Sequence, residues 1–226
     1  MNISVLIPAL NEADAIAQVV RAIPQPPATE ILVVDNGSTD GTGALASAAG
    51  AQVIREKRRG YGSACLRGIA CLDHPDIVVF IDGDASDDPA GLPHLVDPVL
   101  RGEADMVIGS RTLGRVERGS LTLSQRLGNR LATALIRALW GYGYTDLGPF
   151  RAIRYGALRK LKMRDRNYGW TVEMQVKAAK AGLKVREVPV PYRRRIGRSK
   201  ISGTVRGTLM AGYKILWTVL ALRLGG

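Results

Sequence analysis

The chain has 226 residues, which suits one domain, or one domain with an appendage, and is long enough to bury a sizeable core. Hydrophobic residues make up 46% and charged residues 23%, ordinary for a globular protein, but a net charge of +12 is not ordinary. It points to a polyanionic partner (nucleic acid, an anionic membrane surface or a phosphorylated substrate), while two cysteines and two histidines give no footing to a disulfide framework or a His-based metal site.

The N-terminal stretch MNISVLIPALNE has no basic segment ahead of a long apolar run, so no signal peptide is expected and a cytoplasmic location follows. Short apolar runs at Ile3–Ile7, Ile31–Val34, Gln52–Ile54, Ile77–Ile81 and Met106–Ile108 read as strands. Between them, Ala13–Arg21, Thr42–Ala49, Gly62–Cys71 and Pro89–Leu100 have helical apolar spacing. Cys65 and Cys71, six apart in one of these helices, read as small core residues. The alternation predicts an α/β fold with a mostly parallel sheet covered on both faces. From about Gly114 the character changes. Leu123, Leu127, Leu131, Leu135 and Leu139 line one helical face, and Arg126, Arg130 and Arg137 mark another. A helix near Val172–Ala181 and a strand near Leu183–Val188 follow, then a mostly apolar helix over Thr204–Leu224. Its apolar core, Gly207–Leu222, is shorter than the roughly 20 residues of a membrane span. A domain over residues 1–203 and an amphipathic helix over 204–226 are expected.

Ligands of an open parallel sheet bind outside the carboxyl ends of its strands. Four strand ends here run into polar groups: Pro8-Ala9-Leu10-Asn11-Glu12, Asp35-Asn36-Gly37-Ser38-Thr39-Asp40-Gly41-Thr42, Asp82-Gly83-Asp84 and Gly109-Ser110-Arg111. Each alone reads equally as a turn or a helix cap. Together on one edge they mark a site. Asp82 and Asp84, at i and i+2, point the same way, and Gly83 lets a ligand approach. Two such carboxylates call for a cation, and hard oxygen donors suit Mg²⁺ or Mn²⁺ with substrate phosphates completing the shell. Asp87 and Asp88, just before Pro89, read as helix-start charges. Gly60-Tyr61-Gly62 is too short for a dinucleotide fingerprint and follows the third strand; it reads as a loop opening onto the same edge, or as a plain turn.

The stretches Val5–Glu12, Val33–Thr42 and Asp82-Gly83-Asp84 together resemble family 2 glycosyltransferases of GT-A fold. Gly109-Ser110-Arg111, Thr145-Asp146-Leu147-Gly148-Pro149-Phe150 and Gly197-Arg198-Ser199-Lys200 are similar to the dolichyl-phosphate mannose synthase-like branch, which acts on polyprenyl phosphates. The resemblance implies a Rossmann-like three-layer sandwich with C-terminal amphipathic helices. It also implies an inverting hexose transfer from a nucleotide sugar, of GDP-mannose or UDP-glucose type. Pro8, Ala9, Asn11, Glu12, Val34, Asp35, Asp82, Gly83 and Asp84 would hold the donor, with Asp35 on the base and Asp82 and Asp84 on Mg²⁺ or Mn²⁺. Arg111, Arg198 and Lys200 would neutralise phosphate charge, and Arg111, Arg126 and Asn129 would meet the acceptor phosphate. Ser86 stands where some synthases carry a glutamine as a further metal ligand, and Leu10 where an aromatic often precedes the Asn-Glu pair.

An alcohol acceptor would need a general base, for which Asp146 and Glu173 are the candidates; a phosphate acceptor is already anionic and needs cations instead. A lipid acceptor would explain the leucine and basic faces as interfacial helices at the inner face of the plasma membrane, drawn to anionic lipid. The alternative is that those leucines complete the core. Rival readings are a family 2 transferase with a soluble or glycan acceptor, a sugar-1-phosphate nucleotidyltransferase and a nucleic-acid-binding module. Asn11-Glu12 stands where the nucleotidyltransferase would want a Gly-rich, Lys-ended loop, and no nucleic-acid motif appears, so no nucleic-acid partner is expected. The oligomeric state stays open, a homo-oligomer included.

Overall fold

The structure is a computed structural model that describes residues 1–197 and the helix 205–224. The chain runs β1 (Ile3–Ala9), α1 (Ile16–Ala22), β2 (Glu30–Asp35), α2 (Thr42–Ala48), β3 (Gln52–Arg55), α3 (Tyr61–Cys71) and β4 (Ile77–Phe80). A 3₁₀ turn (Pro89–Gly91), α4 (Leu92–Leu100), β5 (Met106–Ser110), α5 (Leu123–Trp140) and β6 (Arg151–Arg154) follow. The last elements are α6 (Tyr155–Leu161), α7 (Trp170–Lys180), β7 (Val185–Pro189) and α8 (Val205–Leu224). Seven strands form one sheet in the order β3-β2-β1-β4-β6-β5-β7. All pairings are parallel except those of β6, which runs antiparallel to β4 and β5.

Strand β1 is buried along its whole length, as a central strand covered on both faces must be. Its alternate residues feed two cores. Val5 and Ile7 pack with Ile16, Val19, Leu95 and Val99 under α1 and α4. Leu6 packs with Leu32, Phe80, Cys65, Trp170 and Ile136 under α3, α5 and α7. This is the expected three-layer α/β sandwich, and parallel pairing brings the carboxyl ends of β1, β2 and β4 to one rim.

The sequence reading missed β6 and α6. Arginines at both ends of Arg151-Ala152-Ile153-Arg154 hide a strand of only two apolar residues. Arg151 is nonetheless fully buried and donates to the carbonyls of Leu147, Gly148 and Thr171. Burial lowers its pKa to about 10, so the guanidinium stays charged and carbonyl-solvated at neutral pH. The cysteine reading also needs correction: Cys65 is buried, but Cys71 is exposed at the end of α3.

Helix α5 starts with a capping box, Thr122 accepting from the Gln125 N–H and Gln125 accepting from the Thr122 N–H, and ends at a left-handed Gly141. Its leucine face divides. Leu135 and Leu139 pack on the core, whereas Leu123, Leu127 and Leu131 are 50–74% exposed. Helix α8 packs against α5 and α7 through Ile215, Val219 and Leu222, and leaves Tyr213, Trp217 and Leu220 more than half exposed. Among the described residues no helix is long and apolar enough to cross a membrane.

Candidate active site

The loops after β1 and β2 are fastened to each other by side chains. Asn11, in the left-handed region at φ 52°, donates its N–H to Ser38 Oγ and accepts from the Thr39 N–H, each at 2.9 Å. Glu12 N–H donates to Thr42 Oγ1, and Asp35 accepts from the Ser38 N–H. Burial works against the Asp40 carboxylate, but hydrogen bonds from Thr42 and Ala13 outweigh it and lower its pKa. Asn36 extends the lacing to the next loop, donating to the carbonyls of Glu56 and Arg58 and accepting from Gly60 N–H at 2.8 Å. Asp40 thus braces the rim without being the N-cap of α2, which is Gly41, and Asn36 both braces the rim and lines a cavity.

Gly60-Tyr61-Gly62 opens α3 where nothing larger fits. Gly60 sits at φ 136°, and a Cβ on Gly62 would collide with the Asp165 carbonyl. This close approach brings Tyr61 over the end of β4, where its hydroxyl donates to Asp82 Oδ1 at 2.9 Å. Burial, then the charge of Asp82, raises the Tyr61 pKa, so the hydroxyl remains a donor.

Two cavities of about 280 Å³ each meet at this point. The first runs over the ends of β1 and β4 and is lined by Pro8, Ala9, Glu12, Asn36 and Gly83. The second runs toward α5 and α8 and is lined by Arg111, Gln125, Asn129, Trp170, Tyr192 and Ile215. Tyr61, Asp82, Asp84, Asn167, Tyr168 and Arg195 line both. Burial, then the neighbouring Asp84 charge, raises the Asp82 pKa to about 7, against the lowering pull of Tyr61, Arg195 and Arg111. Among the described residues no group of three or more His, Cys, Asp or Glu could enclose a metal. Asp82 and Asp84 nevertheless fit a hard cation that takes the rest of its shell from phosphate oxygens.

Arg111 leaves the end of β5 and is gripped by Asp146, which accepts from its Nε, Nη2 and backbone N–H, all at 2.8 Å. The Tyr192 ring lies 5.0 Å beneath the guanidinium carbon. Burial opposes the Arg111 charge, and the Asp146 contacts overcome it, so its pKa is raised.

The predicted residues divide accordingly. Pro8, Ala9, Glu12, Asp82, Gly83 and Asp84 line the first cavity, and Arg111 and Asn129 the second. Asn129 also braces the Thr145–Leu147 turn, donating to Thr145 O and accepting from Leu147 N–H. Asn11, Val34 and Asp35 stand behind the lining. Three expectations need correction. Glu173 lies elsewhere: it ties α7 to the segment before it, accepting from the backbone N–H groups of Arg164 and Asp165 and pairing with Lys177 at 2.7 Å, beside a separate cavity. Asp146 is 1% exposed with both oxygens engaged by Arg111 and Leu147 N–H, so it holds Arg111 and cannot serve as a free base. Arg126 is exposed on α5 and lines neither cavity. Arg198 and Lys200 lie outside the described residues. Asp88 caps the 3₁₀ turn as expected, but Asp87 is buried, with neither oxygen hydrogen-bonded among the described residues. Burial, then the Asp82 charge, raises its pKa well above the usual carboxylate range.

The strand-end pattern does not single out Tyr168, Trp170 or Tyr192, and gives Arg195 only as one acceptor-side cation among several. The signal for the last two was present: aromatic and basic residues adjoin in Pro191-Tyr192-Arg193-Arg194-Arg195.

Compared with known proteins, residues 4–162 match the family described as Glycosyl transferase family 2. An uncharacterised glycosyltransferase of Mycobacterium tuberculosis is 39% identical over 219 residues, spanning 92% of this chain and 94% of the relative. An undecaprenyl-phosphate mannosyltransferase of Micrococcus luteus is 30% identical over 244 residues and spans both chains completely. Among solved structures, glucosyl-3-phosphoglycerate synthase from Mycobacterium tuberculosis in complex with phosphoglyceric acid superposes with a TM-score of 0.79. It is 27% identical and covers 98% of this chain and 80% of its own. The same synthase with Mn²⁺, UDP and glucosyl-3-phosphoglycerate gives 0.78.

Proposed function

The chain belongs to glycosyl transferase family 2, and within it we propose an inverting hexosyltransferase that moves a sugar from a nucleotide diphosphate donor to a polyprenyl phosphate. The observation that carries this reading is the pair of cavities meeting at Asp82 and Asp84. One cavity suits a nucleotide sugar. The other has an arginine at its inner end and apolar walls from Trp170 and Ile215, which suits a phosphate on a hydrocarbon chain. Its rim helices carry the exposed Leu123, Leu127, Leu131, Tyr213, Trp217 and Leu220, a surface fit for the membrane interface.

In this reading an acceptor phosphate oxygen, already anionic, attacks the anomeric carbon. The bond from that carbon to the diphosphate breaks, and the nucleoside diphosphate leaves with the electron pair. No proton has to be removed, which agrees with Asp146 being committed to Arg111. Arg111 holds the nucleophile in place, its planar fork fixed by Asp146 behind and Tyr192 beneath. Asp82 and Asp84 would hold Mg²⁺ or Mn²⁺, which when bound neutralises diphosphate charge. The mannosyltransferase of Micrococcus luteus, similar along its full length, supports a lipid phosphate acceptor. A second reading, a soluble phosphorylated acceptor, is favoured by the likeness to the synthase bound to phosphoglyceric acid. In both, Arg111 meets an acceptor phosphate.

The test offers purified protein labelled UDP- and GDP-hexoses with Mn²⁺, and either undecaprenyl phosphate or 3-phosphoglycerate. Lipid-extractable label that disappears in Asp84→Ala supports the proposal. Label only in the water-soluble product transfers the conclusion to the second reading, and no transfer to either acceptor overturns both.

A further inference from the structure

We infer that Arg195 occupies the cation position beside Asp84 in the resting enzyme and exchanges it for the donor's diphosphate when metal and nucleotide bind; this rests on the donor-site reading above. Arg195 Nη2 lies 3.0 Å from Glu12 Oε1 and 3.1 Å from Asp84 Oδ2, bridging the loops after β1 and β4. The other Asp84 oxygen accepts from the Ser86 N–H at 2.9 Å and from Ser86 Oγ at 2.6 Å. One Asp84 oxygen is thus engaged by the loop and the other by a guanidinium. The guanidinium charge at 3.1 Å opposes a metal ion at Asp84 Oδ2.

The exchange would be a movement of the side chain, not of the backbone. The backbone on both sides is fastened to the aspartate loop: Arg193 N–H donates to Ser86 O and Ile196 N–H to Asp84 O, each at 2.9 Å. Arg195 Nε is buried and donates to nothing among the described residues, so the present pose leaves a charged donor unused. The residue also lines both cavities, at the junction where a diphosphate would bridge from nucleotide to sugar. A rotated guanidinium would find there an acceptor for Nε and a two-pronged partner for its fork. Released by the incoming cation, it would stabilise charge on the departing diphosphate. The same pairing keeps free cations out of a site that has no nucleotide.

The test measures free Mn²⁺ by electron paramagnetic resonance in titrations of the full chain, without nucleotide and with UDP or GDP, alongside thermal melting. Arg195→Gln is expected to bind Mn²⁺ alone about tenfold more tightly than wild type, ~1.4 kcal/mol, and the metal–nucleotide pair more weakly. Arg195→Lys keeps the charge but loses the fork. It should bind Mn²⁺ alone as weakly as wild type and the metal–nucleotide pair less well. Equal or weaker Mn²⁺ binding without nucleotide in a folded Arg195→Gln overturns the inference while leaving the donor site standing. If Arg195→Gln does not fold, tight binding of Mn²⁺ alone by Arg195→Lys overturns it. Failure of wild type to bind Mn²⁺ even with nucleotide overturns the donor-site reading and this inference together.

Discussion

The Arg111–Asp146 pair shows how one residue can look catalytic in sequence and act as support in space. Both Asp146 oxygens are spent on Arg111 and the Leu147 N–H, at 1% exposure. Removing one member of a buried pair leaves the other charge uncompensated, a loss of ~3–5 kcal/mol. Asp146→Asn should therefore lower the melting temperature and raise the acceptor KM, with the slope of the pH–rate profile unchanged. A general base would instead lose kcat and its titration limb. With a pKa near 7 in the metal-free protein, the Asp82 carboxyl holds a proton below neutrality, and a metal must displace it. Mn²⁺ affinity measured calorimetrically should fall about fivefold between pH 7 and pH 6, with proton release rising from about half a proton per ion toward one. Asp82→Asn should bind weakly at both pH values. The aspartates and the strand-end loops were legible because spacing alone puts i and i+2 on one side of a strand. Asp87 was not, because the bridge it makes to Tyr192, about a hundred positions away, turns it inward.

Elements were legible where one periodicity ruled a stretch, and failed where a tertiary partner overrode it. The five parallel strands and their helices appear within a few residues of their expected ends. Strand β6 does not read as a strand because only two of its four residues are apolar, and its buried Arg151 is satisfied by the carbonyls of Leu147, Gly148 and Thr171, and Arg154 by Val99 O. The leucine face of α5 shows the opposite limit: sequence reveals the stripe but not which half the core will cover. Since Leu127 and Trp217 are more than half exposed, Leu127→Ser and Trp217→Ala should leave the melting temperature nearly unchanged. Together they should strip the protein from anionic vesicles in a sedimentation assay, as burying such side chains contributes ~1.5–3 kcal/mol each. Retained vesicle binding would assign the stripe to another partner. Gly62 tests the lacing of α3 to the 165–167 segment. Gly62→Ala forces the Asp165 carbonyl away and with it Asn167 and Tyr168, which line both cavities. Weaker donor binding with a lower melting temperature is expected, read by nucleotide titration and calorimetry.

At the scale of the whole molecule the +12 charge and the apolar stripe have to be weighed against each other. Each cation near an anionic surface contributes ~1 kcal/mol, and the field fades within a Debye length of ~10 Å at 0.1 M salt. Three inserted side chains of α8 contribute a comparable amount that salt does not screen. Neither source alone gives firm attachment, so binding should require both: anionic vesicles at low salt should retain the protein, neutral vesicles should retain little, and raising salt from about 0.05 to 0.5 M should release most of it. Transfer to a short-chain, water-soluble polyprenyl phosphate should respond far less to the same change. There the relevant charges, Arg111 with Asp146 and Arg195 with Asp84, are paired within a few ångströms and mostly withdrawn from solvent. The measurement is a parallel salt series of vesicle sedimentation and of kcat/KM on the soluble acceptor. Matching salt slopes would mean that the surface charge serves substrate capture at the cavities, not attachment of the whole protein to a membrane.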